Sequence, residues 1–136
     1  MFSSFDISTS ALVAQRVRLN TISQNIANIS TVYDAAGERK PYQPRYVEFQ
    51  VDTHIQGAGG ANGVKVQSVR IDDVAPRLKY EPGNPDANAD GYVAYPNIDL
   101  TTQFVDALEA SRAYEANVGV MDINKDLVKQ TLTILA

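Results

Sequence analysis

Apolar residues recur every seven positions at both ends of the chain and every second position in between. At the C-terminal end Leu100, Phe104, Ala107, Ser111, Tyr114, Val118, Met121, Lys125, Val128, Leu132 and Leu135 fall on alternating steps of four and three. That spacing is a coiled-coil seam, with one serine and one lysine let into it. No proline interrupts Leu100 to Leu135, so a single helix on the order of 50 Å long is predicted. Pro96 stops what precedes it, and Asn97 or Asp99 is placed to cap the first free amides. At the N-terminal end Phe5, Leu12, Leu19 and Ile26 repeat every seven residues, joined by Ile22 and Ile29. A helix starting near Asp6 or Ser8 and running to about Asn28 follows from that repeat.

Between the helices the period changes from seven to two. Val47, Phe49 and Val51 alternate with polar neighbours, which is the pattern of a half-buried strand. Gly57 to Gly63 reads as a flexible connection, after which Val64 and Val66 resume the alternation. Val69 and Ile71 fall on the opposite phase, so a bulge near Ser68 is needed to restore register. Leu78 and Tyr80 suggest a third strand, turned by Pro82-Gly83-Asn84-Pro85 toward a fourth at Tyr92 to Tyr95. The predicted fold class is α+β. Long terminal helices pack as a coiled coil and a small antiparallel sheet lies between them. The expected division is 1–32 for the N-terminal helix, 33–96 for the β-rich middle and 97–136 for the C-terminal helix.

Composition narrows the function more than the fold. The 136 residues are 44% hydrophobic and 21% charged, ordinary for a globular chain. The middle stretch could bury only a small core by itself, so the termini must pack on it, on each other or on other chains. Net charge is −4 with Lys and Arg scattered, which argues against a nucleic-acid surface. Cysteine is absent, which excludes a disulfide framework and a cysteine metal site. No Lys or Arg precedes Arg16 and the early apolar run is short, so a cleaved signal peptide is not expected. No stretch is long enough to span a bilayer as a helix. Two seams and no catalytic pattern point to an assembly subunit.

Specific motifs carry a resemblance. Ser23-Gln24-Asn25-Ile26-Ala27-Asn28-Ile29-Ser30-Thr31 resembles the N-terminal Asn-Leu/Ile-Ala-Asn box of the bacterial flagellar rod, hook and hook-associated axial proteins. Tyr80-Glu81-Pro82-Gly83-Asn84-Pro85, Asp90-Gly91-Tyr92-Val93 and Tyr95-Pro96-Asn97-Ile98-Asp99 are similar to the proximal-rod members of that family. So is Ala110-Ser111-Arg112-Ala113-Tyr114-Glu115-Ala116-Asn117. The resemblance implies terminal helices toward an axis with a β-rich part outside. It also implies a structural, non-enzymatic subunit without a cofactor, polymerising helically into the rod that crosses the periplasm and transmits torque to the hook. The implied partners are copies of itself, other rod proteins, the distal rod, and the export gate and rod-adaptor proteins of the basal body. Neither nucleic acid nor a small-molecule substrate is implied. Export by the flagellar type III apparatus, without cleavage, is part of the same expectation.

Several residues admit a sharper reading. Asp86, Asn88, Asp90 and Gly91 match the opening of an EF-hand calcium loop, and a calcium-binding interaction module is the alternative function. The twelfth position is Asn97 rather than glutamate, and Pro85 and Pro96 deny the flanking helices, so a hairpin turn explains the same residues. His54 is the one histidine, without a nucleophile pattern beside it, and a surface position is expected. Asp72 and Asp73, if on a strand, would face opposite ways. The glycines of 57–63 lack the Lys-Ser/Thr of a phosphate loop. The candidate subunit contacts on the first helix are Leu12, Leu19, Ile22, Asn25, Ile26 and Asn28. On the last helix they are Phe104, Tyr114, Asn117, Val118 and Met121, then Val128, Leu132 and Leu135. Asn25 and Asn28 either fix register between subunits, as a buried asparagine does in a coiled coil, or simply end the helix. Three ion pairs are spaced for the last helix: Glu109–Arg112, Asp122–Lys125 and Asp126–Lys129.

Overall fold

Asp99 begins the longest element. Its carboxylate accepts the Thr101 amide at 3.0 Å, one of the donors that the first helical turn leaves free, and the Thr102 hydroxyl at 2.9 Å. In the computed structural model, which describes residues 2–135, the helix so capped (α2) spans Leu100–Leu135. The other elements are α1 (Phe2–Ala27), β1 (Arg45–Gln56), a short 3-10 turn at Ala58–Gly60, β2 (Asn62–Ile71), β3 (Arg77–Tyr80) and β4 (Tyr92–Tyr95). This is the expected α+β architecture with long helices at both ends. Neither helix is long and apolar enough to cross a membrane, among the described residues.

α1 starts at Phe2, earlier than the start near Asp6 or Ser8 that the sequence suggested. Ser8 is buried within the helix and caps nothing. Ser10 donates to the Ile7 carbonyl at 2.6 Å and accepts the Val64 amide of β2 at 3.0 Å. These residues serve packing, and a polar side chain that bonds backward within its own turn does not interrupt a helix.

α1 and α2 run antiparallel. Asn25 of α1 meets Gln103 of α2, while Arg18, two turns back, meets Asp106 and Glu109. At this end the helices are flush, Ala27 closing α1 near where Leu100 opens α2. α2 has 36 residues against 26, an excess of about 15 Å at 1.5 Å per residue. The excess falls beyond the start of α1, and residues 129–135 are all exposed. The buried apolar side chains are few: Ala14 and Ile22 of α1, Ala110 of α2, Val93 of β4 and Ile98 just before α2. Ala110, fully buried, has no side chain beyond its Cβ to hold the two helices apart. Gly119 does not mark a close approach, since open space surrounds the position a Cβ would take.

The seam of α2 is not its packed face. A strict seven-residue repeat drifts about 20° per heptad around a straight α-helix. Over the length of α2 that drift carries the seam from one flank to the inner face. Phe104 near its start is 58% exposed, whereas Met121 and Val128 further on are half-buried. The face that packs on α1 is centred instead on Ala110, fully buried, with Gln103, Ala107, Asn117 and Met121 half-buried around it.

The middle consists of two separate antiparallel hairpins, not the single sheet expected. β1 pairs with β2, and β3 with β4, but no ladder joins the pairs. In the first, Glu48 faces Ser68 and the next residue, Phe49, faces Val66, leaving Gln67 as the extra residue of a bulge one position from that predicted. The hairpin lies along α1, where Gly63 is so close to Ser10 and Ile55 that an added Cβ would come within 2.9 Å of the Ile55 side chain. In the second, Arg77 to Tyr80 face Tyr95 to Tyr92, as the alternation predicted. Asp72 and Asp73 follow β2 in a loop rather than lying on a strand.

Candidate assembly surface

Asn25 is the joint of the subunit. It is 2% exposed and sits where the last turn of α1, the first residue of β1 and the first turns of α2 converge. Its amide nitrogen donates to the Arg45 carbonyl at 2.8 Å and to Gln103 Oε1 at 3.1 Å. Its oxygen accepts the Arg45 amide at 2.9 Å and the Tyr42 hydroxyl at 3.1 Å. A side-chain amide offers two donors and two acceptor positions, and all are taken within the chain. Asn25 is therefore part of the subunit's interior, and the register-setting role between subunits does not fit this geometry. Its neighbour in the motif closes the helix: Asn28 donates to the Gln24 carbonyl at 2.9 Å and accepts the Thr31 hydroxyl at 3.0 Å. Ile22 is buried beside the joint, while Leu12, Leu19 and Ile26 are half-buried.

Two further contacts fix the rigid frame. Arg18 lies 3.3 Å from Glu109 and 3.7 Å from Asp106, bridging the helices. Glu109 thus pairs across to α1 rather than with Arg112. Of the other spaced pairs, Asp126–Lys129 closes at 3.5 Å. On the second hairpin Glu81 meets Lys79 at 2.7 Å and accepts from Asn84 and Tyr95, each at 2.9 Å. The Lys79 ammonium first, then these two donors, hold its carboxyl at about 2, below the ordinary range. The same contacts raise Lys79 and Tyr95.

The calcium-like loop is occupied by its own turn. Asn88 Oδ1 accepts the amides of Asp90 at 3.0 Å and Tyr92 at 2.9 Å, and Gly91 takes a φ of 84° that glycine tolerates. The Asp86 carboxylate accepts the Tyr33 hydroxyl, which raises the Tyr33 pKa. Arg39 donates to the Pro85 carbonyl at 2.8 Å and reaches that of Ala87 at 3.4 Å, clasping the loop before β1 to this turn. Among the described residues no three His, Cys, Asp or Glu side chains converge on a metal position. His54 is exposed near the end of β1.

What remains open is apolar. Phe104, Tyr114, Val118, Leu132 and Leu135 of the predicted contacts are exposed on α2, the last at 78%. Val105, Leu108, Ile123, Leu127 and Ile134, on other faces of the same helix, are exposed as well. Met121 and Val128 are half-buried, as is Asn117, whose amide turns back to the Ala113 carbonyl at 2.8 Å. Apolar side chains are thus exposed along the whole of α2, on more than one of its faces.

The same ends match known families. Residues 5–32 match the family described as flagella basal body rod protein, and residues 89–134 match the flagellar basal body rod FlgEFG protein C-terminal family. Over 130 residues the chain is 45% identical to the flagellar basal-body rod protein FlgC of Salmonella typhimurium, covering 96% of this chain and 94% of that protein. It belongs to the FlgC family of flagellar basal-body rod proteins. The FlgC of Bacillus subtilis is 40% identical over 145 residues, 98% of this chain and 97% of that one. The FlgC of Borreliella burgdorferi is 37% identical over 150 residues, 99% and 97% of the respective chains. The two family matches fall on α1 and on β4 with α2, whereas the identity to FlgC proteins runs through the middle of the chain as well.

Proposed function

We propose that this chain is a non-catalytic structural subunit of the bacterial flagellar basal-body rod. Copies of it assemble helically, together with other rod proteins, into the shaft that crosses the periplasm and carries torque to the hook. The observation that supports this most is the near full-length identity to FlgC proteins combined with an α2 whose apolar side chains its own chain leaves uncovered. A shaft must resist twisting, and continuous helices packed side by side supply stiffness that the small hairpins could not. At the base of the shaft the chain meets the export gate and rod-adaptor proteins, and above it the distal rod. It is exported by the type III apparatus without cleavage. The test is complementation: a tagged copy expressed in a strain lacking its own FlgC should restore swimming and co-purify with isolated basal bodies at full length. Failure to enter the basal body, or recovery of an N-terminally trimmed chain, would contradict the reading.

A further inference from the structure

The second hairpin is tied to the rest of the chain at one place. Among the described residues, each hydrogen bond or ion pair that leaves residues 77–95 goes to the loop 32–41. The Tyr33 hydroxyl donates to the Asp86 carboxylate, and Arg39 donates to the Pro85 carbonyl at 2.8 Å and reaches that of Ala87 at 3.4 Å. Apolar contact follows the same line. Val32 and Pro41 of the loop line one cavity with Leu78, Val93 and Ala94 of the hairpin, and Val93 is 1% exposed. The loop is itself braced by Asp34, whose carboxylate accepts the amides of Ala36 and Glu38, each at 2.9 Å.

Nothing comparable binds this pair of segments to the helices. β3 and β4 make no extended contact with α1, α2, β1 or β2. The hairpin lines an open groove with Ile29 and Ser30, just past α1, and among the described residues no hydrogen bond or ion pair crosses it. The connections are short. At the neck the Tyr42 amide donates to the Thr31 carbonyl at 2.9 Å and the Tyr42 hydroxyl to Asn25, so both residues stay with the helix pair. After β2 the Asp72 amide donates to the Pro44 carbonyl at 2.8 Å and the Val74 amide to the Asp72 carbonyl at 2.9 Å, leaving Ala75 and Pro76 as the link to β3. On the way out Pro96 and Ile98 are buried, so the link there falls between Tyr95 and Pro96. A few residues at element ends are enough to absorb the backbone rotation of a hinge.

We propose that residues 32–41 and 77–95 move as one unit about the neck at Thr31 and Tyr42 and the links at Pro76 and Pro96. The helix pair and the first hairpin keep their geometry as it moves. The Tyr33 and Arg39 clasp keeps the unit whole, and the Asn25 joint keeps its base fixed. The movement re-aims the exposed Leu78 and Tyr80 without unpacking a helix. It is a property of the single subunit and stands apart from the rod function.

The cysteine-free chain allows nitroxide labels to be placed in pairs on the full-length protein, diluted into unlabelled chain so that only distances within one molecule count. Glu38→Cys with Ala89→Cys spans loop and hairpin, Asn20→Cys with Glu115→Cys spans the helix pair, and Ala89→Cys with Glu115→Cys spans the proposed hinge; all are exposed positions. Distance distributions from double electron–electron resonance are expected to be narrow for the first two pairs and clearly broader, or split, for the third. A third distribution as narrow as that of the helix pair would overturn the proposal, because the unit would then be fixed. A first distribution as broad as the third would overturn it as well, because loop and hairpin would then move separately. Adding Tyr33→Phe and Arg39→Ala together should broaden the first distribution and leave that of the helix pair unchanged. No change in the first would remove the clasp from the account and overturn the proposal in that part.

Discussion

Asn25 carries more of the fold than any other polar side chain, because removing it orphans groups on three elements. Asn25→Ala would leave the Arg45 amide and carbonyl without their partners in a dry site. Each unsatisfied buried group costs about 1–3 kcal/mol, so a loss on the order of 3 kcal/mol is expected. A urea titration of the monomer should show the unfolding free energy fall by that amount. A change below about 0.5 kcal/mol, the size of an ordinary surface effect, would contradict the assignment. Glu81 supports a second prediction at this scale. Its carboxyl titrates at about 2 in the folded chain, below the unfolded value of 4.5. A depressed acid stabilises the fold above its unfolded pKa, and that contribution is lost as pH falls through the folded one. The second hairpin should therefore loosen between about pH 4.5 and 2, and Glu81→Gln should remove that dependence; the Glu81 carbon chemical shift against pH is the measurement. A midpoint near 4.5 would mean the contacts to Lys79, Asn84 and Tyr95 do not persist in solution.

Between the helices, inward and outward positions should separate cleanly on mutation. Ala110 has no free space, and Ala110→Leu should destabilise the monomer by about 1–3 kcal/mol through overpacking. Val118 is on the open flank, and Val118→Asp should leave the monomer within about 0.5 kcal/mol of its original stability while blocking incorporation into the rod. The desolvated contact there would have to bury an unpaired carboxylate in every copy. Denaturation midpoints and basal-body yields test both; normal swimming with Val118→Asp would place that side chain outside any contact. The contrast also marks how far sequence alone reaches. The bounds of α2, the pairing of both hairpins and the bulge beside Ser68 were legible, because caps, alternation and phase breaks are local. Which side of α2 meets α1 was not, because a seven-residue repeat drifts around the helix and the packed line runs through alanines and polar residues. The Asn25 motif was visible as a motif, but its partners Tyr42, Arg45 and Gln103 come from distant segments that no spacing links. Ser8 suggested a cap because serine's affinity for free amides reads the same wherever it sits, yet it lies buried inside α1.

As a whole the molecule is a rigid pair of helices with two small hairpins beside it and an apolar surface its own chain does not cover. Shortening it tests the uncovered part. A chain ending at Val128 retains the Asn25 joint, the Arg18 bridge and both hairpins, so the monomer should fold with nearly the original denaturation midpoint. Export should persist and incorporation should fail, read as shortened chain outside the basal body and absent within it. The most direct test of the account is a density map of the isolated basal body, resolved well enough to place side chains along α2. The account predicts Phe104, Tyr114 and Val118 buried against another subunit's helix, with Asn25 still bonded to Gln103 and Arg45 of its own chain. A rod in which those three side chains face open solvent would contradict it.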